Sequence, residues 1–168
     1  EGISDDALET LVGDIVRYQS KDNSTMAALQ EHFTKLSGRE ATSVCGFSSK
    51  YKYSATCFVE GNFVIGSPEF VLRSDFERYE YYISNISNKG YRVLAIAQTS
   101  EVPNGGRLEA PARLLGLVFL DNPVRESAKE TFEYFAANGV EIKVISGDNP
   151  ETVSHVAMEA GIIGGGHY

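Results

Sequence analysis

Long apolar runs and a basic leader are both missing from this sequence of 168 residues. No stretch reaches the roughly 18 consecutive apolar residues that a membrane-crossing helix requires. The first residues, EGISDDALETLV, have neither the basic start nor the apolar centre of a signal peptide. The sequence as it stands therefore predicts a soluble, cytosolic chain.

Cysteine and histidine are also scarce, with two and three residues respectively. Cys45 and Cys57 lie in predicted strands and have no histidine or cysteine at metal-binding spacing, which favours buried free thiols over a zinc site or a disulfide. The histidines, His32, His155 and His167, are far apart in sequence, so each is interpreted as an isolated side chain. We expect no metal ligands in this chain.

Basic residues are fewer than acidic ones, so the formal net charge is −8. A chain of this charge is a poor partner for the phosphate backbone of a nucleic acid. A small nucleotide held in a locally basic pocket is still compatible with it. The hydrophobic content of 42% is enough for a core, and the length allows one ordinary domain or two small ones.

The stretch of residues 43–69 organises the chain and predicts two or three antiparallel strands. The turn Glu60-Gly61-Asn62 joins two of these strands. Lys50 and Lys52 lie next to a set of mostly apolar residues at alternate strand positions. The alternating residues are Phe47, Tyr51, Tyr53, Ala55 and Cys57. Aromatic rings next to cations suit a flat base with an anionic tail. The alternative is an amphipathic sheet with a solvated outer face.

Helices and further strands surround this stretch, which predicts an α+β fold. Ser4 caps a first helix that ends near Ser20, and a second helix runs from Asn23 to a stop at Gly38. The later elements are predicted from the same evidence, which is helical or strand periodicity interrupted by glycine and proline. They are a helical turn at 67–69, a helix over 76–88, a buried strand over 90–97, a loop over 103–111 and a strand over 114–120.

Beyond residue 120 the pattern changes to strand, helix, strand, helix, which is typical of a parallel βαβ unit. A helix over 124–136 leads to a strand over 140–145, and a second helix begins with Asn149 as cap and Pro150 in its first turn. A ligand is expected at the carboxyl end of that strand. The glycine-rich residues 164–166 have no partner strand, so we expect the sequence to stop inside a domain.

Five segments occur in an order that is typical of one protein family: GFSSKYKYSA, FVIGSPEFVL, GYRVLAIA, LDNPVRE and VISGDNPETV. With them the chain resembles the cytosolic nucleotide-binding domain, and the start of the phosphorylation domain, of a P-type cation-transporting ATPase. The resemblance implies an antiparallel twisted sheet flanked by helices over residues 1–119. It implies a partial haloacid-dehalogenase-like α/β unit over residues 120–168.

The same resemblance implies roles for residues that would bind an adenine nucleotide. Phe47 matches the aromatic residue that stacks on adenine, and Lys52 matches a lysine deep in the ATP pocket. Arg92 and Leu94 match a strand whose arginine reaches the phosphates and whose leucine touches the base. For Arg92, the alternative is a surface arginine on an edge strand.

Two further matches depart from the family pattern. Gly66 matches the glycine of a Lys-Gly-Ala-Pro-Glu loop, where a small residue lets the backbone approach the ligand, but Ile65 stands where lysine is usual. Asn122 and Arg125 match an Asp-Pro-Pro-Arg hinge, with asparagine in place of the aspartate. The resemblance implies that Gly66, Asn122 and Arg125 all belong to the nucleotide-binding residues.

The catalytic match is Ser146-Gly147-Asp148, which resembles the family's Thr-Gly-Asp motif. There a hydroxyl and a glycine amide hold the transferred phosphoryl group. The alternative is a capped helix start. The phosphorylated aspartate of the family lies in an Asp-Lys-Thr-Gly-Thr sequence, and neither this nor the magnesium-binding Gly-Asp-Gly-x-Asn-Asp occurs in the chain. We expect the chain to bind ATP without turnover.

The resemblance implies that the parent protein couples ATP hydrolysis, through an aspartyl-phosphate and with Mg²⁺, to cation transport. Calcium is favoured because Phe-Ser-Ser and Gly-x-Pro-Glu-Phe-Val-Leu resemble a bacterial calcium-transporting branch. The chain would be a cytosolic domain of an integral plasma-membrane protein, with the remaining phosphorylation, actuator and transmembrane domains as partners.

One alternative is a stand-alone haloacid-dehalogenase-type phosphatase, although its Asp-x-Asp tripeptide does not occur. Another is an interaction domain with a face of Tyr79, Tyr81 and Tyr82.

Overall fold

A computed structural model describes residues 3–121, 124–146 and 150–162 of the chain. Its α-helices and strands confirm an α+β protein. The helices are α1 (Asp5–Val16), α2 (Ser24–His32), α3 (Pro68–Leu72), α4 (Glu80–Ser87), α5 (Ala128–Ala137) and α6 (Pro150–Glu159), with a 3₁₀ helix at Arg73–Arg78. The strands are β1 (Ser43–Ser48), β2 (Tyr53–Phe58), β3 (Gly61–Gly66), β4 (Arg92–Thr99) and β5 (Arg113–Leu120).

The five strands form one sheet in chain order, and β1 to β4 pair antiparallel. The β2–β3 hairpin closes with Phe58 opposite Gly61, so Val59 and Glu60 are its two loop residues. The prediction of a turn at Glu60-Gly61-Asn62 was therefore wrong by one residue. Gly61 and Asn62 take part in the ladder, where Asn62 also pairs with Thr99.

The chain divides into two compact units. The first contains the residues up to Tyr79 together with Leu94–Val118, and the second contains Glu80–Val93 and the residues from Phe119 onward. The functional division at residues 119 and 120 stays a prediction.

The core of the first unit lies on one face of the sheet, beneath α3 and the loop that precedes β5. The fully buried side chains of this cluster are Tyr53, Ala55, Val64, Val71, Leu72, Ala95, Ala97, Leu108 and Ala112. On the other face of β2, Thr56 Oγ1 donates to the carbonyl of Ile15 over 2.9 Å, and Gln19 Nε2 donates to the carbonyl of Ala55 over 2.8 Å. All six residues of β2 are buried. The alternative of a solvated outer face is therefore wrong for this strand.

Helix α1 begins as predicted, since Ser4 accepts a hydrogen bond from the amide of Ala7. Helix α2 was predicted to continue to Gly38 but ends at His32. The reason is tertiary, because the segment after α2 crosses α1 so closely that a Cβ on Gly13 would lie 2.1 Å from the carbonyl oxygen of Lys35. Buried Asp14 then accepts hydrogen bonds from the amide and the hydroxyl of Ser37.

The helix predicted over 76–88 is divided in two. Its first residues are in the 3₁₀ helix, and Phe76 of that helix and Tyr79, the residue that follows it, pack against the core of the first unit. Helix α4, from Glu80, belongs to the second unit. The division of the helix thus coincides with the boundary between the units.

Within the second unit, α5 and α6 confirm the predicted helices, and Gly139 and Gly161 adopt positive φ at their ends. The prediction of a strand over 140–145 was wrong, because residues 140–146 have no regular secondary structure. A strand needs a neighbour for its amides and carbonyls. No described segment pairs with this one, so the parallel βαβ unit does not form among the described residues.

Candidate functional site

Three of the predicted nucleotide-binding residues lie on β1, in the β1–β2 connection and at the end of β3. Phe47 lies on the edge strand β1 with 51% of its surface exposed, so its ring is accessible. The backbone then turns tightly, because the amide of Lys52 donates to the carbonyl of Ser48 over 2.6 Å. Lys52 adopts a φ of +55°, which is uncommon for a residue with a side chain.

Gly66 lies directly beside Lys52. Its Cα partner across the hairpin is Tyr53, and the amide of Ser67 donates to the carbonyl of Lys52 over 2.8 Å. A Cβ on Gly66 would be 2.3 Å from that carbonyl oxygen and 2.6 Å from the Tyr53 Cα. A side chain would therefore force the two strands apart, and glycine is required here for packing whatever the ligand.

Ile65, where the family pattern has lysine, is only 3% exposed. It pairs with Ser54 on one side and Ile96 on the other. An apolar side chain fits this buried position, so the chain offers no cation here. Any positive charge for an anionic ligand has to come from other residues.

Leu94 and Arg92 lie two residues apart on β4 and are both half-buried. Successive residues of a strand face opposite sides of a sheet, and Ala95 and Ala97 both face the core of the first unit. Leu94 therefore lies on the opposite face. Leu94 belongs to the first unit and Arg92 to the second.

The remaining predicted residues are in the second unit. Ser146 and Arg125 are exposed. Gly147, Asp148 and Asn122 lie outside the described residues. The carboxyl end of a strand, on which the catalytic interpretation of Ser146 relied, is not formed there, so the structure gives that interpretation no local support.

Burial determines the protonation of several groups near the sheet. Desolvation raises the pKa of Tyr53, whose hydroxyl donates to the carbonyl of Gly106 over 2.7 Å. Burial also raises the pKa of both Cys45 and Cys57, which are free thiols. Cys57 is buried, as predicted, whereas Cys45 is only half-buried. Nowhere in the described parts do three His, Cys, Asp or Glu side chains gather as a metal site would require.

Two cations that the sequence did not single out, Arg73 and Arg107, line a cavity of about 780 Å³ together with Lys50 and Tyr51. Lys50 was noted as an edge residue, and its ammonium lies 5.2 Å from the centre of the Tyr51 ring. Arg73 has a φ of +52°, which no sequence pattern indicates. Only the tertiary structure brings these residues together.

Comparison with known proteins gives relatives over almost the whole chain. The chain is 34% identical over 168 residues to a protein named calcium-transporting ATPase CtpE from Mycolicibacterium smegmatis, covering 98% of this chain and 20% of that protein. It is 29% identical over 164 residues to a probable cation-transporting ATPase, exp7, from Streptococcus pneumoniae, covering 96% of this chain and 21% of that protein. The chain thus spans about a fifth of the length of these relatives.

The fold is similar to a solved structure. A crystal structure of a zinc-transporting PIB-type ATPase in the E2.Pi state matches with a TM-score of 0.58 and 18% identity, over 96% of this chain and 24% of that one. At this identity the match supports the fold alone. No protein-family model matches the chain. Among the described residues, no helix is both long and apolar enough to cross a membrane.

Proposed function

This chain belongs to the family of P-type cation-transporting ATPases, being homologous to one segment of such proteins, and we propose that it binds the adenine nucleotide for a pump of this kind. The observation that carries the proposal is the 34% identity to a calcium-transporting ATPase over 98% of the chain. The parent protein would couple ATP hydrolysis, through an aspartyl-phosphate, to movement of a cation across a membrane. The chain would then be a cytosolic domain of an integral membrane protein, in a bacterial cell membrane.

The geometry of the first unit supports the adenine end of this site. Phe47 presents an accessible ring at the sheet edge, and base stacking on such a ring contributes about 1–3 kcal/mol. Lys52 and Gly66 are neighbours across the hairpin end, and Ser48 links the strand of Phe47 to the backbone of Lys52. We therefore propose Phe47 for the base and Lys52 for the anionic tail.

For the phosphates we propose Arg92, with Leu94 touching the base, and Asn122 and Arg125 as further nucleotide-binding residues. Ser146, Gly147 and Asp148 would hold the phosphoryl group in the intact pump. These roles come from the family pattern. Because Ile65 brings no cation, binding by this chain should be weak, with a dissociation constant of about 0.1–1 mM.

Turnover by this chain is not expected. The Asp-Lys-Thr-Gly-Thr and Gly-Asp-Gly-x-Asn-Asp sequences of the family do not occur in it, so the nucleophile and the magnesium carboxylates would come from other parts of the pump. The described residues do not provide a set of three metal ligands. The remaining phosphorylation, actuator and transmembrane domains are the proposed partners.

Calcium is the proposed cation. The name of the Mycolicibacterium relative specifies calcium, whereas that of the Streptococcus relative specifies only a cation. The residues that would select an ion lie in the membrane part of such pumps, and the described chain has no helix of that kind.

An NMR titration of the chain with ATP tests the nucleotide site. The proposal predicts that the amides of Phe47, Lys52 and Gly66 shift on addition of ATP, and that Phe47→Ala weakens binding by about 1–3 kcal/mol, or roughly fivefold to more than a hundredfold. Val44→Ala is a matched control on the same strand, since Val44 is 45% exposed. Tyr81→Ala, at a ring that is 83% exposed in the second unit, controls for the loss of any exposed ring.

Unchanged spectra around Phe47 at saturating ATP would rule out this pocket. Equal weakening by Phe47→Ala and Tyr81→Ala would show that the rings act non-specifically. Release of phosphate by the purified chain in the presence of magnesium would contradict binding without turnover and would favour the phosphatase alternative. The three tyrosines of the interaction-domain alternative do not form one face, because Tyr79 packs against the core of the first unit while Tyr81 and Tyr82 are exposed in the second.

A further inference from the structure

We propose that the cavity behind the sheet in the first unit is a second binding site, for a small monoanion with a flat aromatic group. Its volume, about 780 Å³, is in the range of ligand pockets. It lies against Tyr53, on the sheet face that carries the core, whereas Leu94 is on the opposite face. Phe47, Lys52 and Gly66 do not line it. The inference is therefore independent of the proposed nucleotide site.

The charges of the lining determine the charge of the ligand. Three cations line the cavity, Lys50, Arg73 and Arg107, against two carboxylates, those of Glu69 and Glu109. One positive charge is left over in a chain whose net charge is −8. A single carboxylate or sulfonate would balance it, while a triphosphate would leave negative charge uncompensated.

Arg73 combines a cavity-lining position with an uncommon backbone conformation. Its Nη1 donates to the carbonyls of Leu108 and Glu109, which fixes the loop wall of the cavity. Its Nε is buried and has no hydrogen-bond partner in the described structure, so it is closed off from the cavity, and the charge of the guanidinium rather than this atom would act on a ligand. The residue also has a φ of +52°, a conformation that tends to be found at binding sites.

The apolar lining favours an aromatic body on the ligand. The rings of Tyr51 and Phe70 and the side chain of Leu108 line the cavity beside the cations. The Lys50 ammonium already lies 5.2 Å from the Tyr51 ring. A flat group can occupy the apolar part while its anionic substituent faces the cations, which is how amphipathic pockets orient their ligands.

Titration of the chain with 8-anilinonaphthalene-1-sulfonate, an aromatic monoanion, tests the site by fluorescence. We expect saturable binding at one site, weakened about fivefold by Arg107→Ser, since Arg107 is exposed and can be replaced without loss of packing. Arg78→Ser is the matched control, an exposed arginine outside the cavity lining, and should change nothing. N-phenyl-1-naphthylamine, which lacks the sulfonate, should bind more weakly and be insensitive to Arg107→Ser.

Equal effects of Arg107→Ser and Arg78→Ser would overturn the proposal, since they would indicate attraction to the surface in general. Loss of the signal in Phe47→Ala, or displacement of the probe by ATP, would place the probe at the nucleotide site and also overturn it. Amide shifts at Tyr51, Arg73 and Arg107 on addition of the probe would support it. A failure of the nucleotide proposal would leave these results unchanged, because Phe47 is on neither wall of the cavity.

Discussion

The strands of the first unit and the segment 140–146 of the second were predicted from the same kind of pattern, yet only the former became strands. Ile96 of β4 is fully buried, and its Cα partner on β3 is Ile65. Ile145 is 95% exposed in a segment without regular structure. A short apolar run supplies the propensity for a strand, but a neighbour has to supply the hydrogen bonds. The two segments differ in whether a neighbouring strand is present to pair with them, and not in their local pattern.

The largest effect is expected from replacing the same residue type in the two segments. Ile96→Ala should destabilise the chain by about 2–5 kcal/mol, since it leaves a cavity in a packed core. Ile145→Ala should change stability by less than about 0.5 kcal/mol, because the side chain is already in solvent. Urea unfolding followed by circular dichroism measures both, since the chain has no tryptophan. Similar costs for the two variants would mean that residues 140–146 are packed in solution.

A smaller effect is expected from alanine at two glycines of the sheet. Gly66→Ala should cost about 1–3 kcal/mol, because the new Cβ meets the backbone of Lys52 and Tyr53. Gly46→Ala on β1 is the control, since no atom lies within 4 Å of its added Cβ, and it should be neutral or stabilise by up to about 1 kcal/mol. Thermal unfolding of both variants compares them. A neutral Gly66→Ala would indicate that the β2–β3 hairpin end is loosely packed.

The smallest effect is expected at the surface of α1. Lys35 Nζ lies 2.8 Å from Asp6 and 2.7 Å from Glu9, and its hydrogen bond holds the pKa of Asp6 below the ordinary 3.8. A lowered carboxyl pKa stabilises the fold above pH 3.8, and this contribution is lost as the pH falls through the lowered value. Lys35→Gln should therefore return the Asp6 pKa toward 3.8 and cost little stability, as is usual for exposed pairs.

NMR titration of the Asp6 carboxyl carbon measures this shift. Lys21→Gln, at another exposed lysine, should leave the Asp6 pKa where it is. An unchanged Asp6 pKa in Lys35→Gln would mean that the segment after α2 does not lie over α1 in solution. The crossing at Gly13 would then be in question as well.

Most helices were predictable because their signals are local. Ser4 and Asn23 cap α1 and α2 as the pattern indicated, and Gly139 and Gly161 adopt positive φ where α5 and α6 end. The end of α2 was not predictable, because it depends on a segment that packs across α1 and on the buried carboxylate of Asp14. That contact joins residues more than twenty positions apart, and no period or cap signal reports it.

The candidate sites also contain residues that the sequence pointed to and residues that it did not. Phe47, Lys52 and Gly66 are proposed from the resemblance, and the structure places Lys52 beside Gly66 with Phe47 exposed on the edge strand. The cavity cations Arg73 and Arg107 were not identifiable, because the conformation at Arg73 and the path of the loop after β4 bring them together. In the sequence, no motif or spacing distinguishes either of these two arginines.

The sequence alone was sufficient for the α+β class, the caps of α1 and α2 and the family, since each depends on residues that are near one another or on an ordered set of motifs. Only the tertiary structure decided which strands form, where α2 ends, that both faces of β2 are buried and which charges share a cavity. The physical reason is that a backbone hydrogen bond, a buried carboxylate or a cavity wall is completed by atoms from distant parts of the chain. Their positions are known only when the chain has folded.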